Sequence, residues 1–342
     1  MTKTWKKILS LTLAMLMAVS MFAACGGQTA SQNNTDAGEP TQPGEEGKIL
    51  KVLTLGHSLS VDCGHMLALI ANTEGYESMK VGTLYYSGCP LNKHVQFLNN
   101  NSAEYSLYIS STDKPNSPPT ITNDVTMEYA LKLDYWDVIV MQGGVFEIAL
   151  DKTYKSGLIQ IIQKYVNETA LNPYVEFMWH MPWAPPLDNT LRDTYPYPEN
   201  NTYYSSYLAY DDNRATLYNA ITKCVTDNIV PDKTFTDVIP TGTAMENALS
   251  SYLEETDLHR DYAHATDLAR VMNAYLWFCK LTGVEQLTEI KLDAIPMAFF
   301  KSTMGNEDRV LTDAEKAIIL ESVNNALKTP FAMTQSQYTT AP

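Results

Sequence analysis

The chain has 342 residues, a formal net charge of −15, 45% hydrophobic and 10% aromatic residues, and five cysteines. That composition is globular and excludes a chain disordered throughout, and the acidic balance repels phosphate backbones, which argues against nucleic-acid binding. Beyond the first ~25 residues no apolar run approaches the ~20 residues of a membrane helix, which excludes a polytopic protein.

The first segment reads as an address. Lys3, Lys6 and Lys7 give a basic start, residues 8–22 a mostly apolar core, and Ala23-Ala24-Cys25 a small-residue cleavage site followed by cysteine. This ending resembles a bacterial lipobox, with Phe22 where Leu is usual. The resemblance implies a signal peptide over 1–24 and lipidation of Cys25; an ordinary secretory signal with a chance cysteine is the alternative. Residues 26–47 hold no large apolar side chain and are rich in Gly, Gln, Asn, Thr, Pro and Glu. Residues 25–48 are therefore expected to be a lipidated cysteine with a flexible tether, and the protein to sit on the outer face of a bacterial cell membrane.

A domain over 49–330 comes next. Residues 49–55, 79–85, 136–142, 174–179 and 234–239 are short apolar runs that read as strands. Between them residues 66–72, 125–132, 154–167 and 204–228 read as helices, and a short helix follows Thr243. Residues 91–124 read as an irregular insertion with a hairpin near 105–110. Thr312 and Glu315 form a capping box for a helix over 313–327, and residues 331–342 are expected to be a disordered tail. Strands without period-2 alternation, alternating with helices, predict a three-layer α/β/α sandwich around a central parallel sheet of about five strands. No Cys-x-x-Cys pair occurs among Cys63, Cys89, Cys224 and Cys279. Export permits a Cys63–Cys89 disulfide, and Cys279, in an apolar stretch, reads as a buried core residue.

Ligand sites of such sheets lie just past the C-terminal ends of the strands. That rule selects Gly56-His57-Ser58, Ser87-Gly88, Gln142-Gly143-Gly144, His180 and Thr241-Gly242-Thr243. Ser58, after the first strand, has the setting a nucleophilic serine needs; the alternative is a serine capping the next helix. Gly56 is read as giving the backbone freedom for that turn. Asp261 and His264, three residues apart ahead of a helix, have the spacing for a carboxylate that orients an imidazole base, and Asp257 with His259 is a competing pair. His65, His94 and His180 show no spacing that gathers three or four metal ligands, so no metal and no other cofactor is expected.

Together these pieces resemble the SGNH/GDSL-type hydrolases, and within them a branch described as a domain of unknown function. The resemblance rests on Gly56-His57-Ser58-Leu59-Ser60, Ser87-Gly88-Cys89-Pro90-Leu91 with His94, and Trp136-Asp137-Val138-Ile139-Val140-Met141-Gln142. Trp183-Ala184, Ile239-Pro240-Thr241-Gly242-Thr243-Ala244 and Arg260-Asp261-Tyr262-Ala263-His264 complete it. It implies Ser58 as nucleophile, His264 as general base and Asp261 as its orienting partner. It implies an oxyanion hole from the N–H groups of Ser58 and Gly88, with Gln142 where the family has Asn. His57, His94, His180 and Trp183 are the candidate substrate-binding residues; His57 stands where Asn or Asp is expected, and either competes for the hydroxyl or faces solvent. The expected activity is that of a surface-anchored serine esterase removing small acyl groups, such as acetyl, from carbohydrate. Tyr195, Tyr197, Tyr203, Tyr204, Tyr207 and Tyr210 are candidates for stacking on sugar rings. The alternatives are an inactive glycan-binding relative and a solute-binding lipoprotein, the latter requiring two similar lobes.

Overall fold

The computed structural model of the chain describes residues 49–76, 78–186, 213–299 and 307–342. Its strands are β1 (Leu50–Gly56), β2 (Met79–Tyr85), β3 (Tyr105–Ser111), β4 (Thr120–Val125), β5 (Val138–Met141), β6 (Glu176–His180) and β7 (Phe235–Ile239). They form one sheet in the order β4-β3-β2-β1-β5-β6-β7. Successive side chains of a strand go to opposite faces, so a strand covered on both faces is apolar throughout. Along β1, Val52 enters one core cluster while Leu53 and Leu55 enter the other.

Two helical layers meet those faces. The helices are α1 (Ser58–Gly64), α2 (Leu67–Thr73), α3 (Leu91–Asn100), α4 (Met127–Lys132), α5 (Asp151–Tyr154) and α6 (Leu158–Thr169). After them come α7 (Arg214–Asn228), α8 (Thr241–Leu249), α9 (Glu255–Leu258), α10 (Asp267–Thr282) and α11 (Asp313–Lys328). Helices α1, α2, α8, α10 and α11 pack with Val52, Val81, Val140 and Ile239, whereas α3, α4, α6 and α7 pack with Leu53, Leu84, Ile139 and Trp179. This is the expected three-layer α/β/α sandwich. The two similar lobes of a solute-binding lipoprotein are not found among the described residues.

The five expected strands are the five parallel ones, and the sheet is mixed because the hairpin β3-β4 joins it antiparallel at β2. The insertion is more ordered than expected. It opens with α3, which buries Leu91, His94, Phe97 and Leu98 at helical spacing and ends at Asn101, whose φ of 46° closes the helix. The tail is also corrected. Thr334 N donates to Asn247 Oδ1 (2.7 Å), Ser336 N to Ser250 Oγ (2.8 Å) and Tyr252 N to Tyr338 O (2.8 Å), so residues 334–338 are fastened to α8 and its C-terminal end. The four described cysteines are buried and unpaired. Cys63 and Cys89 belong to clusters on opposite faces of the sheet, which excludes their disulfide.

The order β2-β1-β5 positions a crevice. The chain leaves β1 toward β2 on one side, and later resumes at β5 on the other. The C-terminal ends of β1 and β5 are therefore the switch point where open α/β sheets bind ligands. Ser58 and Gln142 are among the residues immediately past those two ends.

Candidate active site

Ser58 is the first residue of α1, where a backbone N–H has no intrahelical partner. The helix is capped by His57 instead of by Ser58. Leu59 N donates to His57 Nδ1 (3.3 Å), and His57 Nε2 donates across the crevice to Gly143 O (3.0 Å). These two bonds fix a neutral imidazole, and burial pushes its pKa down to about 4. His57 thus does by a ring nitrogen what an Asn or Asp cap does by a side-chain oxygen. It neither faces solvent nor competes for the serine hydroxyl. Gly56 is required for space rather than for its backbone freedom: a Cβ there would lie 2.2 Å from Ser60 Oγ and 2.5 Å from Gln142 Nε2. The freedom is used at Gly88, past β2, where φ is +59°.

Behind this turn stands a buried polar wall. His180 Nδ1 donates to Gln142 Oε1 (2.7 Å), which leaves His180 Nε2 as an acceptor facing the Cys63 thiol at 3.8 Å. Gln142 Nε2 has no protein acceptor among the described residues and lies under Gly56. His94 shares a hydrogen bond with Tyr105 Oη through Nδ1 (2.8 Å) and stacks on that ring. Burial holds His180 well below the usual imidazole range and His94 at about 3. Trp183 Nε1 donates to Ala263 O (2.9 Å). His57, His94, His180 and Trp183 are all no more than 1% exposed. The substrate-contact role expected of these four is corrected by that burial: they support the crevice from behind.

The second half of the site is the loop between α9 and α10. Asp261 Oδ1 accepts from the N–H groups of Ala263 (3.0 Å) and His264 (2.9 Å), which folds the loop into a tight turn. The same carboxylate takes the His264 ring: Nδ1 lies 2.8 Å from Oδ1 and 2.9 Å from Oδ2. Burial alone would raise the Asp261 pKa; the bond and charge of His264, with the two N–H donors, hold it well below the usual range. The competing pair is ruled out as a dyad. Asp257 closes a capping box on α9, and His259 is fully buried with Nδ1 donating to Glu255 O (3.2 Å).

The two halves are joined by residues the sequence did not single out as a unit. Asp62 lies one helical turn after Ser58, on the same face of α1. Its Oδ2 accepts from Ala265 N (2.9 Å), the residue next to His264. Its Oδ1 accepts from Arg260 Nη1 (3.2 Å) and from Arg270 Nε (2.8 Å) and Nη2 (2.6 Å). Burial pushes the Asp62 carboxyl up, and Arg270 with Arg260 outweighs it, so the group stays ionised. His264 interacts electrostatically with both His57, which caps the helix just before Ser58, and Asp62, one turn after it. Ser58 thus heads the helix whose Asp62 is bonded to the loop that carries Asp261 and His264, and all three of Ser58, Asp261 and His264 are partly open to solvent. Tyr195, Tyr197, Tyr203, Tyr204, Tyr207 and Tyr210 lie outside the described residues.

Similarity to known proteins adds a family. The profile of one described as a domain of unknown function, DUF4886, matches residues 51–295. A crystal structure of a DUF4886 family protein from Bacteroides uniformis is 25% identical, with a TM-score of 0.67, over 84% of this chain and 98% of that one. A candidate SGNH hydrolase from Slackia heliotrinireducens has 14% identity and a TM-score of 0.41, over 68% of this chain and 98% of that one. A lipase from a goat rumen metagenome has 12% identity and a TM-score of 0.36, over 68% of this chain and 97% of that one. Those last two overlap the chain too loosely to bear on its function. No protein with a curated description matches.

Proposed function

Because the chain belongs to the DUF4886 family, whose description names no activity, we propose from the site itself that it is a serine ester hydrolase of SGNH type. The observation that carries this reading is the Asp261–His264 pair, made through Nδ1 at 2.8 Å and tied to the helix that begins at Ser58. With Nδ1–H donated to a carboxylate, the other ring nitrogen is the one suited to take a proton. Ser58 Oγ attacks the ester carbonyl while His264 Nε2 accepts the hydroxyl proton. Asp261 fixes the tautomer and stabilises the imidazolium. The N–H groups of Ser58 and Gly88 hold the oxyanion; Gln142, only 1% exposed and with its Nε2 sealed under Gly56, supports the crevice from behind and is not read as the third donor. His264 returns the proton to the leaving alcohol, and water then releases the acyl group by the same route in reverse.

The substrate read for this site is a small acyl ester, such as an acetyl group on carbohydrate, and the protein is read as a lipoprotein anchored through Cys25 outside the cell. The leader-like segment 1–24, the polar stretch 26–47 and the tyrosine-rich segment 195–210 support those two points. The test is hydrolysis of an activated aryl acetate by the purified protein beside Ser58→Ala and His264→Ala. Each variant is expected to lose about 10³-fold or more in kcat. Equal hydrolysis by all three overturns the reading.

A further inference from the structure

We propose that Asp62 is a positioning residue for this hydrolysis: it locks the serine-bearing helix to the His264 loop, so that hydroxyl and imidazole meet in one fixed register. The proposal rests on the esterase reading and names a residue which that reading does not use.

Asp62 is 1% exposed. A buried carboxylate is costly unless paired, and a well-packed apolar side chain in its place would serve stability as well or better. Its protein donors point to another purpose. Among the described residues they are Ala265 N, Arg260 and Arg270, and all three belong to the His264 loop or to the helix after it. Arg260 Nη1 also donates to Ala265 O (2.7 Å). Both backbone groups of Ala265 are therefore held, its N–H by Asp62 and its C=O by the arginine that Asp62 grips. The residue bonded to His264 has no freedom to shift along α1. On the other side of His264, Ala263 is fixed by Trp183 through its carbonyl. Ser58 and Asp62, four residues apart on one face of α1, thus hold the nucleophile and the carboxylate that sets its partner loop. A nucleophile and base on segments about two hundred residues apart need such a clamp, because a misplacement of about 1 Å costs about a hundredfold in rate.

The test is a double-mutant cycle on aryl acetate hydrolysis with wild type, Asp62→Asn, His264→Ala and the double variant. Asn keeps an acceptor for Ala265 N–H and removes the charge that holds the arginines. Asp62→Asn is expected to lower kcat about a hundredfold with KM within about twofold, and to cause no further loss in the His264→Ala background. An unchanged kcat, or the same fold-loss in both backgrounds, overturns the proposal while leaving the esterase reading intact. An unchanged kcat for His264→Ala alone overturns that reading and the proposal with it. Should Asp62→Asn fail to unfold cooperatively, Arg260→Gln replaces it, since the Arg260 side chain is 33% exposed. A kcat loss of roughly tenfold, partly recovered in Arg260→Lys, supports the clamp; a wild-type kcat in Arg260→Gln overturns it.

Discussion

At the turn after β1, the His57 ring spends both nitrogens on backbone groups and is sealed from water; at the loop before α10, the His264 ring spends Nδ1 on a carboxylate and keeps 18% of its side chain exposed. The residue type is the same and so is the neighbourhood, since a charged His264 adds to the burial that lowers the pKa of His57. Burial and partners divide the labour. An imidazole whose nitrogens are committed to backbone is a structural cap, and it stays neutral because charging it would cost its desolvated site too much. An imidazole anchored by one carboxylate at the edge of a crevice has the arrangement of a base. His65, His94, His180 and His259 fall on the side of His57: burial leads in lowering each of them.

The largest effect should come from breaking the His264 half. Asp261→Ala removes the partner of Nδ1 and the acceptor that shapes the turn, and is expected to cost about 10²- to 10⁴-fold in kcat for aryl acetate. A loss below about tenfold would mean that the pair is a surface ion pair and no more. The buried half is sharpened by Gln142→Ala. It is expected to lower the thermal midpoint and leave kcat largely unchanged, because the amide is sealed behind the crevice and supports His180; a loss of about a hundredfold in kcat, the cost of one oxyanion donor, would contradict that placing.

The smallest effect is on stability, and its sign comes from linkage. Five of the six histidines have folded pKa values below the unfolded value of 6.5, with His57 and His65 at about 4 and His94 and His259 at about 3. Below pH 6.5 the unfolded chain therefore binds protons that the native chain refuses. Their contribution is complete above pH 6.5 and is lost as pH falls toward 4 for His57 and His65 and toward 3 for His94 and His259, at no more than about 1.4 kcal/mol per pH unit for each group. Asp62 and Asp261, both lowered from 3.8, add a second loss only below that value. Thermal midpoints measured from about pH 8 to 4 should start falling near pH 6.5; a flat curve down to about pH 4.5 would show that these rings are not neutral and buried.

The sequence made one half of the site easier to read than the other. Asp261 and His264 are three residues apart, so their pairing is a local matter of turn chemistry. The five parallel strands were legible because each is a short apolar run closed by turn residues or Pro. Asp62 was not, because a lone acid inside a seven-residue helix reads as solvent-facing, and its side-chain partners Arg260 and Arg270 stand 198 and 208 positions away. The burial of His57 and His180 was equally hidden: His57 is bonded to Gly143, 86 positions away, and His180 to Gln142 and Cys63, 38 and 117 positions away. Helix α3 was missed because its Asn-rich C-terminal end obscured the spacing of Leu91, His94, Phe97 and Leu98. The fastening of residues 334–338 depends on Asn247 and Ser250, which nothing in the tail itself announces.

The most direct test of the esterase site is covalent: treat the protein with a fluorophosphonate and map the adduct by mass spectrometry. One phosphonylated residue, Ser58, is expected, with labelling slowed at least about a hundredfold in His264→Ala. A protein that stays unlabelled, or one labelled at Ser58 equally fast without His264, would contradict the pairing of that hydroxyl with that imidazole.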